Sequence, residues 1–199
     1  MSFEAIVLAA GASSRFVGGK LLAPWGDGVL LDGALAAAFA APVQSVSVVW
    51  GADARVPAAA TAFAARTGEG HRLRLIHAER HAEGMAESLK AGVASLEFQC
   101  AGGVVFLGDM PQIAPTIAAM LKDALADGAL AAAPTFAGQR GHPVLFSAAL
   151  FPALLSLSGD RGAASVLSGL GDKLTLVASP DDGVLRDVDR PGDLGVGQT

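Results

Sequence analysis

The chain has 199 residues, 52% hydrophobic and only 17% charged, with a formal net charge of −5 at pH 7. One domain of this length buries a substantial core, and an acidic balance without any run of Lys or Arg argues against polymeric nucleic acid as a partner. Much of the apolar content is alanine, as in DGALAAAFAAP, and Gly, Asp, Arg or Pro breaks every apolar run before the roughly 20 residues of a membrane span, so no membrane partner is expected.

The amino terminus, MSFEAIVLAAG, passes straight into a strand pattern without the basic region and cleavage site of a secretory signal, and a cytoplasmic location is expected. Seven short apolar runs follow in chain order: 4–10, 45–51, 73–78, 103–109, 129–134, 142–147 and 173–179. Runs this short and continuous fit strands covered on both faces. Between them lie helical patterns. GMAESLKAGVASL (84–96) aligns Met85, Leu89, Val93 and Leu96, and TIAAMLKDALADG (116–128) aligns Ile117, Met120, Leu121, Ala124 and Leu125, with Gly128 able to end it. Cys100 is the only cysteine. It excludes a disulfide framework and a cysteine-ligated zinc, and reads as a small apolar residue beside a strand.

Strand and helix alternate to about residue 130, which predicts a mostly parallel α/β sheet; beyond that, loops rich in Gly and Pro loosen the order. No linker or repeat divides the chain, so residues 1–199 read as one three-layer domain. Ligands of open α/β sheets bind beyond the carboxyl ends of the strands. That rule selects Gly11 to Lys20, His77 to Gly84, Gly108-Asp109 and the later loops.

The first loop, VLAAGASSRFVGGKLL (7–22), is neither common phosphate loop. Ser14 stands where the first Walker glycine would, Leu21 follows Lys20 where a hydroxyl would hold magnesium, and Ala12-Ser13 after Gly11 break G-x-G-x-x-G. What remains is a strand-end loop of Gly and small residues whose N–H groups can approach anionic oxygens, with Arg15 and Lys20 as cations. The alternative is a glycine-rich turn with two solvated cations. In FLGDMP, Asp109 ends a strongly apolar strand and is either a magnesium ligand or a cap or Asx-turn aspartate. In RDVDRPGDL (186–194), Asp187 and Asp189 lie two apart, so an extended segment would project both to one side; Asp189 and Asp193 could equally be turn residues. GQRGHPVLF offers Arg140, Gly141 and His142, with Pro143 favouring extended backbone before it. LSGDRGA offers Asp160 and Arg161. Trp25 and Trp50 read as packing or rim aromatics. His71, His77 and His81 lack metal-ligand spacing, and no G-x-S-x-G elbow occurs.

Taken in order, LAAGASSRFVGGK, GMAESLKAG, LGDMP, RGHPVLF, SGDRGA and DVDRPGDL resemble the MobA-like nucleotidyltransferases across about residues 5–194, most closely the molybdenum-cofactor cytidylyltransferase branch. The resemblance implies a three-layer α/β/α domain, with a Rossmann-like sheet of the nucleotide-diphospho-sugar transferase type. It implies transfer of CMP from CTP to the phosphate of a pterin acceptor with release of pyrophosphate; GTP or another phosphorylated acceptor is the alternative, and a non-catalytic carrier a more distant one. By resemblance, Leu8, Ala9, Ala10 and Gly11 wrap the nucleoside, Arg15 and Lys20 hold the triphosphate, and Gly84, Met85 and Ser88 also contact the nucleotide. Asp109 matches a magnesium ligand and Asp189 the favoured second one, with Arg15, Lys20 and Asp109 as the catalytic set. Arg140, Gly141, His142 and Asp160 fall on the acceptor side, and a molybdoenzyme client or its chaperone is the implied partner. Val17, His77, Ala86, Glu87 and Arg190 depart from the family pattern, and Glu87 would add negative charge near the pyrophosphate.

Overall fold

All seven predicted runs are strands of one sheet in the computed structural model, which describes residues 2–12, 16, 18–125, 128–159 and 162–195. In chain order the elements are β1 (Ser2–Ala9), the short hairpin β2 (Pro24–Trp25) and β3 (Gly28–Val29), α1 (Leu30–Ala40), β4 (Val46–Trp50), α2 (Val56–Thr67), β5 (Leu73–His77), α3 (Met85–Ala94), β6 (Cys100–Leu107), α4 (Ile117–Leu125), β7 (Ala131–Phe136), β8 (Gln139–Arg140), β9 (Val144–Ser147), α5 (Phe151–Leu155), α6 (Ala164–Ser168) and β10 (Leu174–Ala178). The main sheet runs β10-β7-β9-β6-β1-β4-β5, with β8 paired to β7. β1 is parallel to both β4 and β6, and β9 is antiparallel to its neighbours β6 and β7. The expected three-layer, mostly parallel architecture is therefore present.

Alternation along β1 builds both apolar layers. Ala5, Val7 and Ala9 pack with Leu31, Leu35, Ala60 and Leu121 from α1, α2 and α4, while Ile6 and Ala10 pack with Leu89, Leu154 and Leu167 from α3, α5 and α6. The helix α1 starts where Asp32, at its third position, accepts the Val29 backbone N–H at 3.0 Å, and α2 ends on Gly68 in the left-handed region. Two predicted apolar stripes need correction. Met120 is 37% exposed because α4 buries Ile117, Ala118 and Leu121, an arc that leaves Met120 beyond its edge. Met85 is 48% exposed because it opens α3 above a cleft rather than a core. Cys100 is buried as expected, its thiol donating to the Gly102 carbonyl at 3.0 Å, and burial pushes its pKa up.

One buried charge escapes the sequence pattern. Glu4, at the amino end of β1 and so opposite the strand tips, accepts from Ser45 Oγ at 2.7 Å, Arg74 at 3.1 Å and the Glu97 N–H at 2.9 Å. A buried carboxylate is tolerated there because charge and hydrogen bonds both reach it.

The register brings the carboxyl ends of three strands level. Leu8 lies opposite Val49 and Leu107, so the chain leaves the sheet at Gly11, Gly51 and Gly108 side by side. Close approach also decides how α3 lies. A β-carbon on Gly92 would sit 2.6 Å from Ile6 Cγ2 and 3.1 Å from Val49 Cγ2. Gly92→Ala, which in an exposed helix would stabilise by about 0.8–1 kcal/mol, is expected here to destabilise by roughly 1–3 kcal/mol through overpacking. Urea midpoints measure this, and a variant at least as stable as wild type would contradict the packing.

Candidate active site

Beyond Ala9 the chain leaves β1 through Ala10, Gly11 and Ala12 and returns in a 3₁₀ turn at Lys20–Leu22. That turn is closed by Leu22 N–H to Gly19 O (3.3 Å) and Ala23 N–H to Lys20 O (3.1 Å), and buried Leu21 anchors it in the core. The Lys20 side chain, 11% exposed, crosses the strand tips. Its ammonium donates to Asp109 Oδ2 at 2.7 Å and Asp189 Oδ1 at 3.2 Å.

Each carboxylate has its own support. Asp109 follows Gly108, whose N–H bonds Leu8 O at 2.9 Å, and precedes buried Met110. The carboxy-terminal bend is stapled to it by Val188 N–H to Asp109 O at 3.0 Å, and Asp193 Oδ2 accepts the N–H groups of Asp189 and Arg190. Burial opposes the Lys20 charge, but the hydrogen bonds and charges of Asp109 and Asp189 outweigh it and hold its pKa above the ordinary lysine value. Asp187 is not among the ion-pair partners of Lys20 in the described residues. It lines a separate pocket of about 290 Å³ beside Trp25 and Gln112, and burial, reinforced by the charges of Asp189 and Asp109, raises its pKa. The segment holding both is irregular rather than strand, so the two-residue alternation expected for it does not apply.

Two hollows border this ion cluster and a third adjoins the first of them. The largest, about 430 Å³, is lined by Leu8, Ala10, Gly11, Gly84, Met85 and Ser88, with Asp109 at its edge. A second, about 310 Å³, lies between Gly11-Ala12, Gly18 to Leu21 and the Asp53–Arg55 segment. A third, about 170 Å³, shares Leu8 and Met85 with the first and is bounded by Arg140, Gly141 and His142. Of the predicted nucleotide residues that the structure describes, only Ala9 lies away from these hollows; its methyl packs in the core. Arg15 and Asp160, with Val17 and Arg161, lie outside the described residues.

Local packing explains the loop at 140–142. A β-carbon on Gly141 would sit 2.1 Å from Val184 O, and the next N–H, of His142, bonds that carbonyl at 2.9 Å. Among the described residues His142 Nδ1 is buried without a hydrogen-bond partner. The departures from the family pattern also find places. Glu87 pairs with Lys90 and, at 3.5 Å, Arg80, and does not line the cleft. His77 stacks on Trp50 with ring centroids 4.2 Å apart. Sequence reasoning passed over Asp53 and Arg55. The strand-end rule applied to β4 would have found them, since they follow its tip.

A cationic side chain and two carboxylates thus meet at the tips of a parallel sheet, beside glycine-lined hollows. The family model for the MobA-like NTP transferase domain matches residues 5–174, and the chain belongs to this family of nucleotidyltransferases. It is 27% identical to the molybdenum cofactor cytidylyltransferase of Escherichia coli over 97% of this chain and 94% of that protein. It is 34% identical to the purine catabolism protein PucB of Bacillus subtilis over 119 residues, spanning 58% of this chain and only 57% of PucB. The crystal structure of an Rv0371c homolog from Mycobacterium sp. strain JC1 superposes with a TM-score of 0.76 at 29% identity, covering 96% of this chain and 92% of that one. No helix among the described residues is long and apolar enough to cross a membrane.

His142 generates a pH prediction. Burial lowers its pKa below the ordinary 6.5 against the charge of Asp109 and a hydrogen bond to the Val105 backbone, with the charge of Arg140 acting the same way as burial. The unfolded chain therefore takes up this proton first as pH falls, and the stability present above about pH 6.5 declines toward the depressed folded value. Urea midpoints at pH 7.5 and 5 are expected to fall less in His142→Gln than in wild type; equal falls would exclude the effect.

Proposed function

We propose that the protein transfers CMP from CTP to the phosphate of a molybdenum-cofactor pterin, releasing pyrophosphate. The observation that carries this reading is the Lys20 ammonium between Asp109 and Asp189 at the mouth of the glycine-lined hollow. CTP is favoured by the LAAG form of the first loop and by the similarity to the E. coli cytidylyltransferase. The product would pass to a molybdoenzyme or its chaperone.

In this reading Leu8, Ala10, Gly11, Gly84, Met85 and Ser88 enclose the nucleoside and α-phosphate, Ala9 adding only its backbone. Arg140, Gly141 and His142, with Asp160, orient the acceptor. Its ionised phosphate oxygen attacks the α-phosphorus, a new P–O bond forms, and the bond from that phosphorus to the oxygen bridging to pyrophosphate breaks. No strong base is required because the nucleophile is already anionic, so positioning and charge neutralisation dominate. Lys20 exchanges carboxylate partners for phosphate oxygens and, with Arg15, neutralises the departing pyrophosphate.

The donor set suits Mg²⁺. Asp109 Oδ2 and Asp189 Oδ1 already converge on one cation, both are hard oxygen donors, and Mg²⁺ commonly takes one or two carboxylates and completes its shell with water and phosphate. When bound, Mg²⁺ supplies Lewis-acid polarisation of phosphoryl oxygens and a template for the two substrates.

Pyrophosphate release is the deciding assay, run with CTP, GTP, ATP and UTP, with and without molybdenum cofactor and Mg²⁺. CTP with cofactor is expected to give the highest rate; preference for GTP, or no release from any nucleotide, would overturn the assignment. Thermal shifts add an independent reading, since a ligand at a hundred times its Kd stabilises by about 2.7 kcal/mol. Lys20→Ala should lower kcat/KM roughly tenfold to a hundredfold, the loss of one charge-assisted phosphate contact. Asp109→Asn should lower it at least as far, and a full-activity variant of either residue would remove it from the mechanism.

A further inference from the structure

We infer that Arg55 is a positioning residue for Lys20, holding the turn that carries the lysine from the far side of the second hollow. Arg55 sits at the amino end of α2, beyond the tip of β4. Its guanidinium grips Asp53 in a two-pronged ion pair, Nε to Oδ1 at 2.9 Å and Nη2 to Oδ2 at 2.7 Å, and Nη2 also donates to the Gly18 carbonyl. Asp53 is oriented in turn by the Arg55 backbone N–H at 3.0 Å.

Gly19 is shaped to this pair. Its φ of 91° favours glycine, and a β-carbon there would lie 2.5 Å from Asp53 Oδ2 and 2.8 Å from Arg55 Nη2. The turn is thereby gripped at both ends. Leu21 and the two 3₁₀ hydrogen bonds hold it from the core, and the Asp53–Arg55 pair holds Gly18-Gly19 from α2. Lys20 lies between the two grips, and its reach to Asp109 depends on both.

An exposed ion pair alone contributes little, and Arg55 is 61% exposed. The difference here is the third bond, which ties a backbone carbonyl 37 residues away to a rigid bidentate pair. Direct phosphate binding by Arg55 fits the geometry less well. Its Nε and Nη2 donors are already engaged by Asp53 and Gly18, and the Asp53 carboxylate in the same wall repels an anion. Arg55 therefore acts through the turn.

This inference rests on the nucleotidyltransferase reading for its catalytic consequence and on geometry alone for the latch. Hydrogen exchange tests the latch. In Arg55→Ala the Leu22 and Ala23 amides, which close the 3₁₀ turn, are expected to exchange faster, while amides of β4 and α2 keep their rates. Kinetics test the consequence. Arg55→Ala should lower kcat/KM for the nucleotide by about tenfold, below the hundredfold that a misplaced catalytic group can cost, with thermal stability nearly unchanged. Arg55→Lys should not restore it, because an ammonium cannot reproduce the fork. In a Lys20→Ala background Arg55→Ala should add little, since both changes act through one group. Unchanged exchange at Leu22 and Ala23, wild-type kcat/KM in Arg55→Ala, or full additivity with Lys20→Ala would each overturn the inference. Absence of pyrophosphate release from wild-type protein would overturn the activity reading, and the exchange result would still decide the latch.

Discussion

The cleft is organised by one ammonium shared between two carboxylates. Lys20 comes from the first crossover, Asp109 from the tip of β6 and Asp189 from a bend near the end of the chain, 89 and 169 residues away from the lysine. The lysine, 11% exposed, would be costly alone at its degree of burial, and the two carboxylates offset that cost. In the proposed reading the lysine turns toward phosphate, and the two carboxylates, which leave the cluster net negative, hold a cation before the site suits a polyanion.

The delivery of Asp189 depends on backbone contacts that only glycine permits. The strap from Gly183 to Val188 crosses the sheet where β-carbons on Gly183 and Gly141 would each lie 2.1 Å from a carbonyl oxygen, that of Gln112 and of Val184. Those approaches allow His142 N–H to bond Val184 O and Val188 N–H to bond Asp109 O. A strap lifted by one side chain would carry Asp189 away from Lys20. Glycines far from the ion cluster therefore belong to its construction.

The strands were legible because each is a short apolar run; the central ones are buried on both faces, while the edge strands β5 and β10 stay partly exposed. The residues lining the hollows were legible for a related reason: strand tips are where an open sheet leaves room. Helical faces were read less well. The stripe assigned to Met120 was rotated from the arc α4 buries, and Met85 was grouped with core residues although it borders a cleft, because periodicity reports a helix's face but not what lies opposite it. Glu4 was invisible for a similar reason. A carboxylate inside an apolar strand pattern looks like a solvent-facing position until Ser45, Arg74 and the Glu97 N–H are known to surround it.

The order of motifs in this chain determined by itself the layered fold, the strand tips that matter and the candidates Lys20, Asp109 and the pair Asp187 and Asp189, since these follow from local pattern and chain direction. Tertiary structure alone decided that Asp189 rather than Asp187 meets the lysine, that Glu87 turns to Lys90 and Arg80, and that Asp53 and Arg55 close on Gly18-Gly19. Those outcomes depend on distances between segments far apart in the chain, set by sheet order and close glycine contacts that no local pattern encodes.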